Sequence, residues 1–252
     1  MCGILGYSAP EKFGEDFSHS LKIGISLLHH RGPDNSDFWI NQNKSIGIAH
    51  ARLSILDLKP RSNQPMIDSD NNLILSFNGE IYNFIELKKE LESMGHAFLT
   101  NSDSEVILKG YAEWRTQVFS KFRGMFAIAI YDKENGEIIV ARDNSGQKPL
   151  YYMFDEEQKI FLFASELKAL FEFSEFEKKI SFEGLNKLFL KGFCEGSSSI
   201  YRNINKLNAG TFSIFNIKDN KLISDYFWDG KGLFLKKNKK YFSDDDTLNK
   251  LE

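Results

Sequence analysis

The sequence predicts an α+β fold built from layered antiparallel sheets, and three observations carry that expectation. Strand-like runs come in adjacent pairs around short turns, and such hairpins imply antiparallel rather than doubly wound parallel pairing. Amphipathic helical segments lie among them. The chain also holds 23 phenylalanines, which favour strands and a sizeable core over a long disordered tail.

The elements follow in order. Residues 18–29 place Leu21, Ile25 and Leu28 on one helical face, and the helix should stop before Arg31-Gly32-Pro33. Residues 45–56 and 72–77 read as strands. Asn83-Phe84-Ile85-Glu86 is a capping-box pattern that should open a helix with Phe84, Leu87, Leu91 and Met94 inward and Gly95 as its stop. Ser102-Asp103-Ser104-Glu105 repeats the pattern and opens a helix towards Trp114. Residues 125–131 and 137–142 flank a turn at 132–136, and residues 150–154 and 160–164 flank another at 155–159. A short helix should hold Leu167, Leu170 and Phe171, and a further one should span about 182–193. Residues 211–217 and 221–227 look like a last hairpin. After Trp228, Lys236-Lys237-Asn238-Lys239-Lys240 reads as a solvated linker, and Ser243-Asp244-Asp245-Asp246 as the cap region of another helix.

Composition bounds the function. The 252 residues carry a net charge of −3, so no nucleic-acid footprint is expected. No stretch approaches the roughly 18 apolar residues of a membrane span. The start, Met1-Cys2-Gly3-Ile4-Leu5-Gly6, lacks the basic region and apolar core of a signal peptide, so the expected location is cytoplasmic. The two cysteines, Cys2 and Cys194, should be free thiols in a reducing compartment. His29-His30 has no ligand cluster at metal spacing, and a structural role is expected for His30.

Cys2 is the residue with chemistry to offer. Trimming Met1 would leave its thiol beside its own α-amine. A thiol pKa of about 8.5 and an amine pKa of about 7.7–8.0 are close enough for one group to deprotonate the other near neutrality. Alone, a cysteine near a start codon is a weak signal.

Its company is specific. His30-Arg31-Gly32-Pro33-Asp34, Arg52-Leu53-Ser54-Ile55, Gln64-Pro65-Met66, Asn78-Gly79-Glu80-Ile81-Tyr82-Asn83 and Ser102-Asp103-Ser104-Glu105 occur in that order. Gly124-Met125-Phe126-Ala127, Arg142-Asp143, Gly146, Lys148-Pro149-Leu150-Tyr151-Tyr152 and Ser165-Glu166-Leu167-Lys168-Ala169-Leu170 follow. From about Cys2 to Ile217 the sequence resembles class II glutamine amidotransferase domains, above all the glutaminase half of glutamine-hydrolysing asparagine synthetases. The resemblance implies an N-terminal-nucleophile αββα sandwich. It implies domain bounds of 2–218 for the glutaminase domain, with 219–252 as linker and the start of a truncated synthetase-like domain. It implies catalytic roles for Cys2 as nucleophile and for the Asn78 side chain and Gly79 backbone as oxyanion donors. Glutamine would be bound by Arg52 at its carboxylate, by Asp103 at its ammonium, by Glu80 in the same pocket, and by the backbone of Leu53, Ser54, Ile55 and Leu56. Gly79 would be glycine so that the substrate can approach closely. Arg142-Asp143 and Lys148 would shape a loop facing a partner domain.

The glutaminase half-reaction so implied needs no metal or organic cofactor. ATP and Mg belong to the synthetase half, whose Ser-Gly-Gly-x-Asp-Ser signature is absent, as is a GxxxxGK[ST] loop. The expected partners are glutamine and a synthetase domain or separate chain receiving ammonia, with a homodimer allowed and no nucleic acid or membrane. Gln147 stands where the family often has an apolar residue, which leaves the acceptor open. The competing readings are another class II amidotransferase, of phosphoribosyl or hexosamine type, and a non-catalytic glutamine-binding remnant.

Overall fold

In the computed structural model, which describes residues 1–230 and 232, the chain opens with β1 (Gly3–Ser8), α1 (Gly14–Ser26), β2 (Asn35–Ile40) and β3 (Ile46–Arg52). It continues with β4 (Met66–Asp68), β5 (Leu73–Ile81), α2 (Phe84–Ser93), α3 (Asp103–Trp114) and the single turn α4 (Val118–Lys121). Then come β6 (Gly124–Asp132), β7 (Glu137–Arg142), β8 (Tyr151–Asp155), β9 (Ile160–Ala164), α5 (Leu167–Leu170) and α6 (Phe182–Lys191). The last strands are β10 (Ile204–Lys206), β11 (Thr211–Asn216) and β12 (Lys221–Tyr226). They form two six-stranded sheets, ordered β10-β8-β9-β1-β3-β2 and β12-β11-β7-β6-β5-β4. Every pairing is antiparallel.

Period-two alternation builds three cores from these strands. Leu5, Tyr7, Ala49 and Ala51 point to the outer face of the first sheet and pack with Phe17, Leu21 and Ile25 of α1. Leu73, Leu75 and Phe77 point to the outer face of the second and pack with Leu87, Leu91, Val106 and Ile107 of α2 and α3. The alternate residues Ile4, Ile46, Ile48 and Ile74 meet Ala127, Ile138, Phe161 and Phe215 between the sheets. Fully burying such a side chain is worth about 2 kcal/mol. The order is helix, sheet, sheet, helix, the αββα sandwich. Aromatic rings fill it, with Phe161 stacked on Phe215 at 5.0 Å between centroids.

The structure departs from the sequence reading at several points, the first helix among them, which runs Gly14–Ser26 rather than 18–29. The strand expected at 72–77 runs on to Ile81, so Asn78-Gly79 lies inside β5. The strand expected at 45–56 ends at Arg52 and releases the following residues as a loop. The Asn83 capping box does not form. Asn83 instead accepts from the Arg123 N–H at 2.8 Å and donates to the Lys121 carbonyl at 3.0 Å, tying the helix start to the segment before β6. The last hairpin forms as expected, with residues 221–226 hydrogen-bonded to β11 as the sheet's edge strand. The basic run at 236–240 and the cap at 243–246 lie outside the described residues. Ser102 does cap α3, accepting from the Glu105 N–H at 3.4 Å. No described helix is long and apolar enough to cross a membrane.

Candidate active site

Each strand's inward face becomes polar at one end. On β5, Ile74 and Ser76 face the other sheet, and the Ser76 hydroxyl donates to the Ala49 carbonyl of β3 at 3.1 Å. The same parity aims Asn78 and Glu80 inward. On β3, Ile46 and Ile48 are followed by His50 and Arg52, and ahead of Ile4 comes Cys2. The polar ends converge on a cavity of about 240 Å³, lined among others by Cys2, Arg52, Asn78, Glu80 and Asp103. Met1 also lines it.

Cys2 is anchored on three sides. Its Sγ accepts from the Leu53 N–H at 3.3 Å. The Arg31 Nε donates to its carbonyl at 2.9 Å, and the Arg31 Nη1 reaches Glu166 at 2.8 Å. Behind it, the Ile4 N–H donates to the Ser165 hydroxyl at 2.9 Å. The turn that carries Arg31 can approach because residue 32 is glycine: a Cβ there would stand 2.2 Å from the Ala51 carbonyl oxygen. Burial pushes the Cys2 thiol up, while the Leu53 N–H and the charges of the chain's amino group and Arg52 pull it down. With Met1 present, the nitrogen of Cys2 is an amide and that amino group belongs to the preceding residue.

The opposite wall offers unpaired donors. Asn78 is 1% exposed, and its Nδ2 has no hydrogen-bond partner among the described residues. Leaving such a donor unpaired costs on the order of 1–3 kcal/mol. On the same edge of β5, the Phe77 N–H donates to Gln64 at 2.6 Å and the Ile81 N–H to Asp103 at 3.0 Å. Alternation puts the Gly79 N–H between them, pointing away from the β6 ladder. Gly79 has a structural reason to be glycine beside the expected substrate approach: a Cβ would stand 2.1 Å from the Met125 carbonyl oxygen on β6.

Asp103, at the first turn of α3, is 4% exposed. Burial raises its pKa to about 7 against the pull of the Ile81 N–H, and Glu80 nearby raises it further. Glu80 is also raised, chiefly by burial, with Lys148 opposing. Leu53, Ile55 and Leu56 line the cavity, but Ser54 does not, and its N–H is taken by Asp34 at 2.7 Å. Arg52 lines the cavity with its fork already engaged. Nη1 donates to Asn63 at 2.6 Å, and Nη2 donates to the carbonyls of Leu56 and Asp57 at 3.2 and 2.8 Å. The guanidinium expected from sequence to hold a carboxylate is therefore committed to the loop, and a carboxylate must compete with these acceptors or use Nε.

The sequence reading assigned no site role to Arg31, Gln64 or Lys148, although each stands in a quoted motif. Gln64 bridges β5 to α3 through Phe77 and, at 3.1 Å, the Ser104 hydroxyl. Lys148, expected in a partner-facing loop, is 7% exposed and lines the cavity. His50 is fully buried, donates from Nε2 to the Phe77 carbonyl at 2.9 Å, and is held neutral by burial with a pKa of about 4. Among the described residues no group of three or more His, Cys, Asp or Glu is placed to hold a metal.

A family model described as a glutamine amidotransferase domain matches residues 1–228. The chain belongs to that family. A putative asparagine synthetase [glutamine-hydrolyzing] 2 of Methanocaldococcus jannaschii is 36% identical over 248 residues, covering 91% of this chain and 47% of that protein. Asparagine synthetase [glutamine-hydrolyzing] 2 of Bacillus subtilis is 34% identical over 241 residues, covering 94% of this chain and 31% of that protein. The glutamine amidotransferase domain thus spans at most about half the length of these relatives. Among solved structures, the glutamine phosphoribosylpyrophosphate amidotransferase of B. subtilis superposes with a TM-score of 0.59 at 20% identity, over 90% of this chain and 49% of that one. That likeness is one of fold.

Proposed function

We propose that this domain hydrolyses the side-chain amide of glutamine, with Cys2 as the nucleophile once Met1 has been removed. The observation that carries the reading is a buried, unpartnered Asn78 Nδ2 on the same cavity as the Cys2 thiol. An unpaired buried donor facing a nucleophile suits a negative charge that exists only during reaction.

The freed α-amine of Cys2 takes the thiol proton, directly or through a water. The thiolate attacks the amide carbon, and the oxyanion is received by Asn78 Nδ2 and the Gly79 N–H. Collapse expels ammonia, protonated by the Cys2 ammonium, and leaves a γ-glutamyl thioester. Water then hydrolyses the thioester to glutamate. Asp103 and Glu80 receive the substrate ammonium. Arg52 and the backbone of Leu53, Ile55 and Leu56 hold the carboxylate end, while Ser54, whose N–H is bonded to Asp34 and which does not line the cavity, takes no direct part. No metal or organic cofactor enters these steps.

The names of the relatives support asparagine formation as the destination of the ammonia, by a cytoplasmic synthetase domain, in the same or another chain, that amidates aspartate with ATP and Mg. The test is ammonia and glutamate release from glutamine by purified protein, alongside Cys2→Ala, with intact mass reporting the loss of Met1. Release by the processed protein, falling at least 10³-fold in the variant, is expected. Fully processed protein that releases nothing overturns autonomous hydrolysis and favours a glutamine-binding remnant.

A further inference from the structure

One wall of the cavity is a loop with little of its own to hold it. After β3 ends, residues 53–59 have no regular secondary structure before the single 3₁₀ turn Pro60–Ser62. Two of its four large apolar side chains lie in solvent, Ile55 at 60% and Leu58 at 71% exposure, and Leu53 and Leu56 are only half-buried against the cavity. A segment with so few buried apolar contacts opens readily unless polar bonds fix it.

Two groups supply those bonds. Arg52 grips the loop from inside through the Leu56 and Asp57 carbonyls and Asn63. Asp57 works from the other side. Its backbone sits at φ 41°, uncommon for a residue with a side chain, and its carboxylate is turned in until only 4% is exposed. Oδ2 accepts from the Asn101 N–H at 3.0 Å and from the Arg61 Nε and Nη2 at 3.0 and 2.9 Å. Oδ1 accepts from the Lys59 N–H at 3.4 Å. The Asn101 N–H, followed by the Arg61 pair, holds this carboxyl down at about 2, so it is ionised throughout the working range.

Asn101 is the key partner, because it lies two residues before Asp103. A single charge-assisted bond therefore joins the loop wall to the segment that delivers Asp103 at the start of α3. We infer that Asp57 is a positioning residue that sets the spacing between the two ends of the substrate pocket, the 53–56 wall and Asp103. This rests on the glutaminase reading, in which an α-amino acid bridges those two ends. The carboxylate and ammonium of such a substrate are held one carbon apart, so a shift of the loop mismatches both contacts at once. Asp57 touches neither Cys2 nor the oxyanion donors, so its loss acts on substrate affinity and leaves the chemical step in place.

The test uses the full chain with Met1 removed and reads two quantities. One is the KM and kcat split for glutamine hydrolysis. The other is the glutamine concentration that half-protects Cys2 from iodoacetamide, followed by peptide mass so that Cys194 is counted separately. Asp57→Ala should raise both KM and the half-protecting concentration about tenfold, a change of ~1.4 kcal/mol. It should leave kcat and the unprotected alkylation rate within about threefold. Asp57→Asn keeps an acceptor for the Asn101 N–H and should return KM to within about threefold of the parent. Should Asp57→Ala fail to fold by circular dichroism, Arg61→Ala loosens the same carboxylate and should raise KM about threefold at constant kcat. An unchanged KM and protection curve in a folded variant, beside an active parent, overturns this inference alone. A processed parent that neither hydrolyses glutamine nor is protected by it overturns the glutaminase reading and this inference together.

Discussion

The two sheets contribute to the cavity in opposite ways. The first delivers Cys2 with its thiol and its carbonyl bonded, by Leu53 and Arg31, and with Ile4 tied to Ser165. The second, with the helix α3 packed on it, delivers groups left wanting: the Asn78 Nδ2 has no partner among the described residues, and Glu80 of β5 and Asp103 of α3 are carboxyls whose burial disfavours their charge. One side is braced and the other holds unpaid polarity. On the proposed function the lesson is that a nucleophile needs to be placed, whereas the groups that receive a substrate must be kept from satisfying one another. Arg52 stands between these cases, since it belongs to the first sheet and spends its fork on the loop.

Breaking the contrast at its sharpest point gives the largest effect. Asn78→Ala should lower kcat for glutamine by about 10²–10³ while KM moves little, read by steady-state ammonia release. Because Nδ2 is unpartnered, the same variant should keep its denaturant midpoint close to the parent's. A large loss of stability would place Asn78 with the braced groups instead.

Asp103 sharpens the comparison through pH. Its raised pKa means it is largely protonated in the empty pocket below about 7, and only the ionised form attracts the substrate ammonium. The KM for glutamine should therefore fall as pH rises through about 7, and Asp103→Asn should flatten that profile and raise KM about tenfold. Stability runs the other way. A carboxyl whose folded pKa lies above its unfolded value of about 3.9 contributes fully at low pH and loses that contribution as pH rises through about 7. Asp103→Asn should accordingly gain on the order of 2 kcal/mol in urea unfolding at pH 8 and little at pH 4.

The smallest effect concerns Lys148, the cation that opposes the burial of Glu80. Lys148→Met should move the acid limb of the kcat/KM profile towards higher pH, without altering the rate at its plateau beyond about threefold. No displacement would show that Glu80 does not titrate in the working complex.

Much of this was legible in the sequence because strand alternation and motif order are local signals. The hairpins at 125–142 and 150–164 are set by their turns, and the Ser102 cap is set by its own helix. The misreadings occur where a distant partner decides. Nothing near Asn78-Gly79 tells that β6 will pair with it and carry the strand on to Ile81. Asn83 gives up its cap because Lys121 and Arg123 arrive from another segment. Arg52 looks like a free fork until the loop folds back over it. Gln64, Arg31 and Lys148 were visible as motif letters, but their places come from contacts across tens of residues.

The place of Met1 has a consequence for how the protein matures. Met1 lies against the cavity, with the Cys2 carbonyl tied to Arg31 and the next residues zipped as β1 between β3 and β9. Met1 itself is 55% exposed. On the proposed mechanism a molecule that keeps it presents an amide where the α-amine of Cys2 is needed, so ammonia release should scale with the trimmed fraction that intact mass reports.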